Sequence, residues 1–207
     1  MITAGRVLRG REGKSLSDKQ REPGGDAAPG RAGSGSRGPG GSPHVCVRCA
    51  ARGTSCCVSR EGVSGPPLTP GDIARIVSRS GMKASEFAVA REVDSIEQQA
   101  WEEDDPATRG LVRAGTVRSL ARRGEACIFL GERGCKLGDA RPLLCQRFPL
   151  LRVGARVEVK PGGACLAVEE APDLPALLVL LGTSRRRLQQ LDRQLGRELA
   201  GTGRGAK

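Results

Sequence analysis

Tyrosine is absent from this 207-residue chain, and three phenylalanines and one tryptophan are its whole aromatic content. A large core therefore has little bulk to fill it, and nucleic-acid bases would find few rings to stack on. Long apolar runs are missing too. The first twenty residues hold no stretch of secretory-signal length. The longest apolar run, Leu174 to Leu181, is interrupted by Pro175 and falls far short of the roughly 20 residues that span a bilayer. These absences predict no membrane partner and a chain kept in the cytoplasm.

Cysteine is what the chain does have. Cys46, Cys49, Cys56 and Cys57 form one group, and Cys127, Cys135, Cys145 and Cys165 a second. Small cores commonly need a disulfide or a metal to be stable. In a reducing compartment, clustered thiols are more often metal ligands than disulfides. The net charge of +11 invites a nucleic-acid reading, but the scarcity of aromatics and the lack of a recognition helix argue against it. An arginine-rich, soluble surface explains the charge equally well.

Composition divides the chain in three. Residues 1–43 are rich in Gly, Ser, Pro and Arg without apolar periodicity, which predicts a disordered basic tail. Gly13-Lys14-Ser15 resembles the end of a phosphate-binding loop, but the glycine required five residues earlier is Leu8, and no strand precedes it. Residues 44–170 hold every cysteine and are predicted to form the metal-binding domain. Residues 171–207 are predicted to be a C-terminal helical segment with a frayed end.

Within the domain, Gly53 suits a tight turn between the first two cysteine pairs. Thr69 as N-cap, Pro70 at the first position and Asp72 at the positive end of the dipole predict a helix that Gly81 can stop. A second helix is predicted from about Ser85 to Glu102. Val112 to Leu120 suits helix or strand, and Ala126 to Leu130 reads as a short strand followed by a turn at Gly131–Gly134. LLRVGARVEVK alternates on both sides of Gly154-Ala155, the mark of a hairpin. Beyond Cys165 the chain reads as helical. Gly182-Thr183 looks like a stop and a new cap, and Leu188, Leu191, Leu195 and Leu199 form a helical stripe.

A C-x2-C pair such as Cys46 and Cys49 can turn two sulfurs toward one ion through a tight loop, a spacing shared by zinc and iron–sulfur sites. Adjacent Cys56 and Cys57 should point to opposite sides in extended backbone. They would then serve two neighbouring sites, or one of them would have another task. The second group is too widely spaced for a finger closed within one loop, so its ligands must be assembled by the fold. Thiolate centres carry net negative charge, and Arg141, Arg147 and Lys136 are placed to offset it. His44, the single histidine, is a further candidate ligand.

Cys-Val-Arg-Cys followed by Cys56-Cys57, then PLTPGDIARI, then the series from Cys127 through Arg141-Pro142 and Phe148-Pro149 to Cys165, resemble the YkgJ-type cysteine-cluster family. That family is described as a zinc- or iron-chelating domain. The resemblance covers about Cys46 to Cys165 and implies that all eight cysteines bind metal. Two departures stand out: a longer gap between Cys49 and Cys56, and Leu137-Gly138-Asp139 where members often carry a polar or aromatic pair. The family includes flagellin lysine N-methylases, longer proteins using S-adenosylmethionine and an iron–sulfur cluster. Here no glycine-rich adenosine-binding loop follows a strand.

These readings combine into a small α+β, cysteine-rich, metal-stapled domain with short strands and flanking helices. Its expected cofactor is an iron–sulfur cluster, slightly favoured by the resemblance and the wide spacing, or zinc. The expected role is structural or redox-sensing. The alternatives are a protein lysine N-methylase-like enzyme and a basic adaptor whose C-terminal helices, with Arg185-Arg186-Arg187, dock a protein partner or nucleic acid. No catalytic residue is identified.

Overall fold

The computed structural model describes residues 44–53, 55–58, 65–160 and 165–200, and the predicted basic tail lies outside them. Helix α1 (Val45–Ala51) begins at the N-cap His44, and helix α2 (Pro70–Ser80) follows the predicted signals. Thr69 and Asp72 form a reciprocal capping box, and Gly81 ends α2 in the left-handed region at φ 71°.

The helix predicted over Ser85 to Glu102 is in fact three elements: α3 (Ala84–Phe87), strand β1 (Ala88–Glu92) and α4 (Ser95–Asp104). Long-range pairing overrides local propensity here. β1 lies antiparallel to β2 (Thr116–Leu120), with Ala88 opposite Leu120 and Glu92 opposite Thr116, which also makes the ambiguous segment a strand. Asp94 then restarts helix by accepting the Glu97 N–H at 2.8 Å.

Three more hairpins follow, each antiparallel. They are β3 (Arg122–Arg123) with β4 (Ala126–Cys127), β5 (Leu130–Gly131) with β6 (Gly134–Cys135), and β7 (Leu150–Val153) with β8 (Arg156–Val159). Helix α5 (Leu143–Arg147) lies between the last two hairpins, and α6 (Leu166–Glu170), α7 (Leu174–Leu180) and α8 (Arg185–Ala200) close the chain. The cap of α8 is Ser184 rather than Thr183, because its hydroxyl accepts the Arg187 N–H. The architecture is thus mixed helix and small antiparallel hairpins. No described helix is long and apolar enough to cross a membrane.

Apolar side chains collect in separate clusters. Val45 and Cys49 of α1 pack with Leu150, Leu166, Leu174, Leu177 and Leu188. Leu68, Ile76, Phe87, Leu120, Phe129 and Leu137 form a second cluster, in which the Phe87 and Phe129 rings meet at 5.9 Å. Leu191 and Leu195 bury against Leu143, so the predicted leucine stripe covers α5.

Two polar systems fix the elements around these clusters. Asp72, with no exposed surface, accepts the Thr69 N–H and the Leu143 N–H, both at 2.9 Å, and pairs with Arg75 at 2.5 Å. The start of α5 is thereby tied to the start of α2. Glu198 of α8 takes the Thr69 hydroxyl and pairs with Arg75 at 2.5 Å. A side chain at Gly71 would displace that carboxylate from its place against Thr69 and Arg75. The second system centres on Arg147, 3% exposed, which bonds Asp105 at 2.9 and 3.2 Å and Asp192 at 2.8 Å.

Candidate metal centre

Helix α1 carries Cys46 and Cys49 three residues apart, so both project from one face. The C-x2-C spacing is a turn of helix here and not the expected loop. Cys165 stands at the N-cap of α6 and joins Cys46 and Cys49 at the first apolar cluster. Cys127 and Cys135 sit in the short hairpins and pack against the second cluster. Cys145 lies within α5. Each of the eight cysteines is free of disulfide pairing.

Cys56 and Cys57 depart from expectation. Ser55 and Val58 bridge to each other, with the Val58 N–H on the Ser55 carbonyl at 2.9 Å. The two cysteines thus occupy the corners of a turn, where the alternation of extended backbone does not apply. Their sulfurs lie 4.0 Å apart, near the roughly 3.8 Å edge of a tetrahedral zinc–thiolate site with Zn–S bonds of about 2.3 Å. The Cys57 carbonyl accepts the Cys127 N–H at 2.8 Å, which lays this turn against the β4 strand.

Backbone amides two or three residues downstream favour the thiolate at three of the thiols: Phe129 at Cys127, Leu137 and Gly138 at Cys135, and Ala167 and Val168 at Cys165.

Burial opposes them. It raises the Cys127 thiol to about 11 and pushes up Cys46, Cys135 and Cys165 as well. Cys145 is raised as well, by burial and then by the charges of Cys57, Cys135, Cys127 and Asp72. It keeps some exposed surface although protein atoms surround its sulfur. Cys57 goes the other way, down to about 7. The hydrogen bond from Cys56 favours its thiolate, and Arg122 and Arg141 add to this against the cost of burial. Cys56, exposed as a residue, retains its proton in that bond.

Of the cations expected to offset thiolate charge, Arg141 does so for Cys46, Cys57 and Cys135. Arg147 does not, because Asp105 and Asp192 engage it in the interior. Lys136 instead borders a cleft with Arg79, Met82 and Phe129. Sequence reasoning missed Arg122, which stands opposite Cys127 across the β3–β4 hairpin and donates to the Glu125 carbonyl at 2.8 Å. The signal was a Gly-Glu turn, with Gly124 at φ 58°.

His44 is occupied by structure. Its Nδ1 accepts the Cys46 N–H at 3.2 Å. Burial, followed by Arg141, lowers its pKa, and the Leu181 backbone opposes this. The contact to Cys46 makes it the N-cap of α1.

Among the described residues, no three His, Cys, Asp or Glu side chains are gathered closely enough to hold an ion as they stand. Free thiols are the ligand type that zinc and iron–sulfur clusters take, and Arg122 and Arg141 favour the thiolate at Cys57. A separate cleft of about 270 Å³, lined by Trp101, Phe148, Pro149 and Lys160 among others, includes no cysteine. No family model, curated protein or solved structure matches this chain.

Proposed function

We propose that this is a metal-binding protein of the YkgJ cysteine-cluster type, with zinc or an iron–sulfur centre held by Cys46, Cys49, Cys56, Cys57, Cys127, Cys135, Cys145 and Cys165. The observation that carries the reading is the pair of free sulfurs at the Cys56–Cys57 turn, 4.0 Å apart and close to the edge of a tetrahedral thiolate site. The turn lies against the strand that carries Cys127, through the Cys127 N–H on the Cys57 carbonyl. Arg122 and Arg141 offset thiolate charge at Cys57.

The ion would staple α1, the short hairpins, α5 and α6 into one body, a structural role. With iron it would also supply a one-electron centre. Ligation requires the sulfurs to move from their present spacing onto the metal, and it releases thiol protons. The lysine-methylase reading rests on family likeness alone.

The test is metal analysis and an absorption spectrum on protein purified without oxygen. Iron matched by acid-labile sulfide, with thiolate-to-iron charge-transfer absorption, identifies a cluster. A colourless protein with stoichiometric zinc identifies a structural zinc site. Protein that purifies free of metal and takes none up on titration overturns the proposal.

A further inference from the structure

We propose that the cleft between the end of α2 and the β3–β4 and β5–β6 hairpins binds a short acidic segment of a partner protein, anchored by one apolar side chain. The inference goes beyond the metal-binding reading and stands on no thiol.

The floor of the cleft is apolar. Phe129 and Leu137 lie buried in it, and Met82 and Ile128 leave part of their surface open beside them. This floor is held in place. The Phe129 ring meets that of Phe87, and the Lys136 N–H donates to the Phe129 carbonyl at 2.9 Å. The Ser80 hydroxyl donates to the Ile76 carbonyl at 2.7 Å and accepts the Met82 N–H at 3.2 Å, which fixes the chain where it leaves α2. The space measures about 360 Å³, at the lower end of the range for ligand sites. It suits one anchoring side chain better than an extended apolar ligand.

The rim is cationic. Arg79 of α2, Arg123 of β3 and Lys136 beyond β6 are exposed around the floor, against one carboxylate, Glu86. That carboxylate already accepts the Lys83 N–H at 2.6 Å in the cap of α3. Elsewhere the chain pairs its arginines internally: Arg48, Arg75, Arg91, Arg147 and Arg152 each hold a carboxylate. Among the described residues, no ion pair or side-chain hydrogen bond engages Arg79, Arg123 or Lys136. Three cations from separate elements thus meet around one apolar floor with their charge left for a ligand.

Charge selects the occupant. Residues 1–43 hold more Arg and Lys than Asp and Glu, and the whole chain carries +11. Its own tail and a second copy are therefore repelled, whereas an acidic partner is drawn in. Nucleic acid would need a ring to stack on, and the one ring of the cleft, Phe129, is buried against Phe87. A bilayer would need apolar side chains at the rim, where this cleft has charges. Acidic residues on both sides of an apolar one match both the rim and the floor.

The experiment follows the two methionines, Met1 and Met82, by NMR in full-length protein labelled at the methionine methyl groups. The probe is the peptide Glu-Asp-Leu-Asp-Glu, capped at both ends. Titration should shift the Met82 signal to saturation and leave Met1 in place. Replacing the leucine of the peptide by serine should weaken binding about tenfold. Arg123→Glu and Lys136→Glu should each weaken it about threefold to tenfold. Arg156→Glu makes the same change of net charge at the exposed start of β8, and should leave binding within about twofold. A Met82 signal that does not move overturns the proposal. So does a loss with Arg156→Glu as large as with Arg123→Glu, or a serine peptide that binds as well as the leucine one. Single-stranded oligouridylate and phosphatidylserine vesicles are titrated in parallel, and either one moving Met82 at lower concentration than the peptide overturns the choice of partner. Circular dichroism checks the fold of each variant. The two peptides on the unaltered chain decide the question even where a variant does not fold.

Discussion

Arg147 shows how one residue can be read wrongly from its neighbours in sequence. Two positions from Cys145, it looks like a partner for thiolate charge, yet its guanidinium lies between Asp105 and Asp192 at 3% exposure. Removing one member of a buried ion pair leaves the other charge stranded, at a cost of about 3–5 kcal/mol. Arg147→Ala should therefore lower the unfolding free energy by that order and bring the urea midpoint down with it, and Arg147→Lys, which keeps the charge without the fork, should recover only part. An unchanged midpoint for the alanine variant would mean that the network contributes nothing.

Cys57 gives a second test at the same scale. In reduced, metal-free protein its alkylation rate should rise with pH through a midpoint near 7, the value to which Cys56, Arg122 and Arg141 bring it. Cys56→Ala and Arg122→Ala should both move the midpoint upward, because each removes support for the thiolate.

Helix α2 is the element most legible in the sequence. Thr69, Pro70, Asp72 and Gly81 act within a few residues of one another, so their meaning does not depend on the rest of the fold. Thr69→Ala removes a cap hydrogen bond, a loss of about 1 kcal/mol, together with the hydroxyl contact to Glu198. Thermal denaturation should show the loss.

Strand β1 was not legible for the opposite reason. Ala88, Ala90, Arg91 and Glu92 are good helix formers, and only pairing with Thr116–Leu120 makes them a strand. The Cys56–Cys57 turn was hidden in the same way, since it depends on the Ser55–Val58 bridge. The eight cysteines themselves needed no structure to be singled out. Asp72 was half visible: its capping role follows from spacing, whereas its bond to Leu143 depends on where α5 lands.

The α2–α8 junction also carries a pH signature. Burial alone would raise Glu198, but bonds from Arg75, Thr69 and Gln194 outweigh it and hold the carboxyl below its ordinary 4.5. A depressed carboxylate contributes stability above its unfolded value and loses it as pH falls through the folded one. Glu198→Gln should therefore be less stable at neutral pH and show a flatter decline below pH 4.5. An acid limb parallel to that of the parent protein would remove Glu198 from this role.

At the scale of the whole molecule, the apolar clusters are modest and the aromatic content is small, so bound metal should account for much of the stability. A ligand held at a hundred times its dissociation constant stabilises the folded state by about 2.7 kcal/mol. Stripping metal with a chelator should lower the melting temperature, and re-addition should restore it. Acid should act like the chelator, because protons compete for the thiols. A melting temperature indifferent to both would leave the thiols without a structural role.

Helix α1 shares its apolar cluster with Leu166, Leu174, Leu177 and Leu188, residues that lie far downstream. On the ribosome, α1 emerges more than a hundred residues before these partners. Until α6, α7 and α8 are synthesised, Val45 and Cys49 lack most of the side chains that cover them. A nascent chain stalled before Leu166 should therefore expose a reactive thiol pair and be a target for chaperones and proteases. Slow translation between α1 and α6 would lengthen that interval.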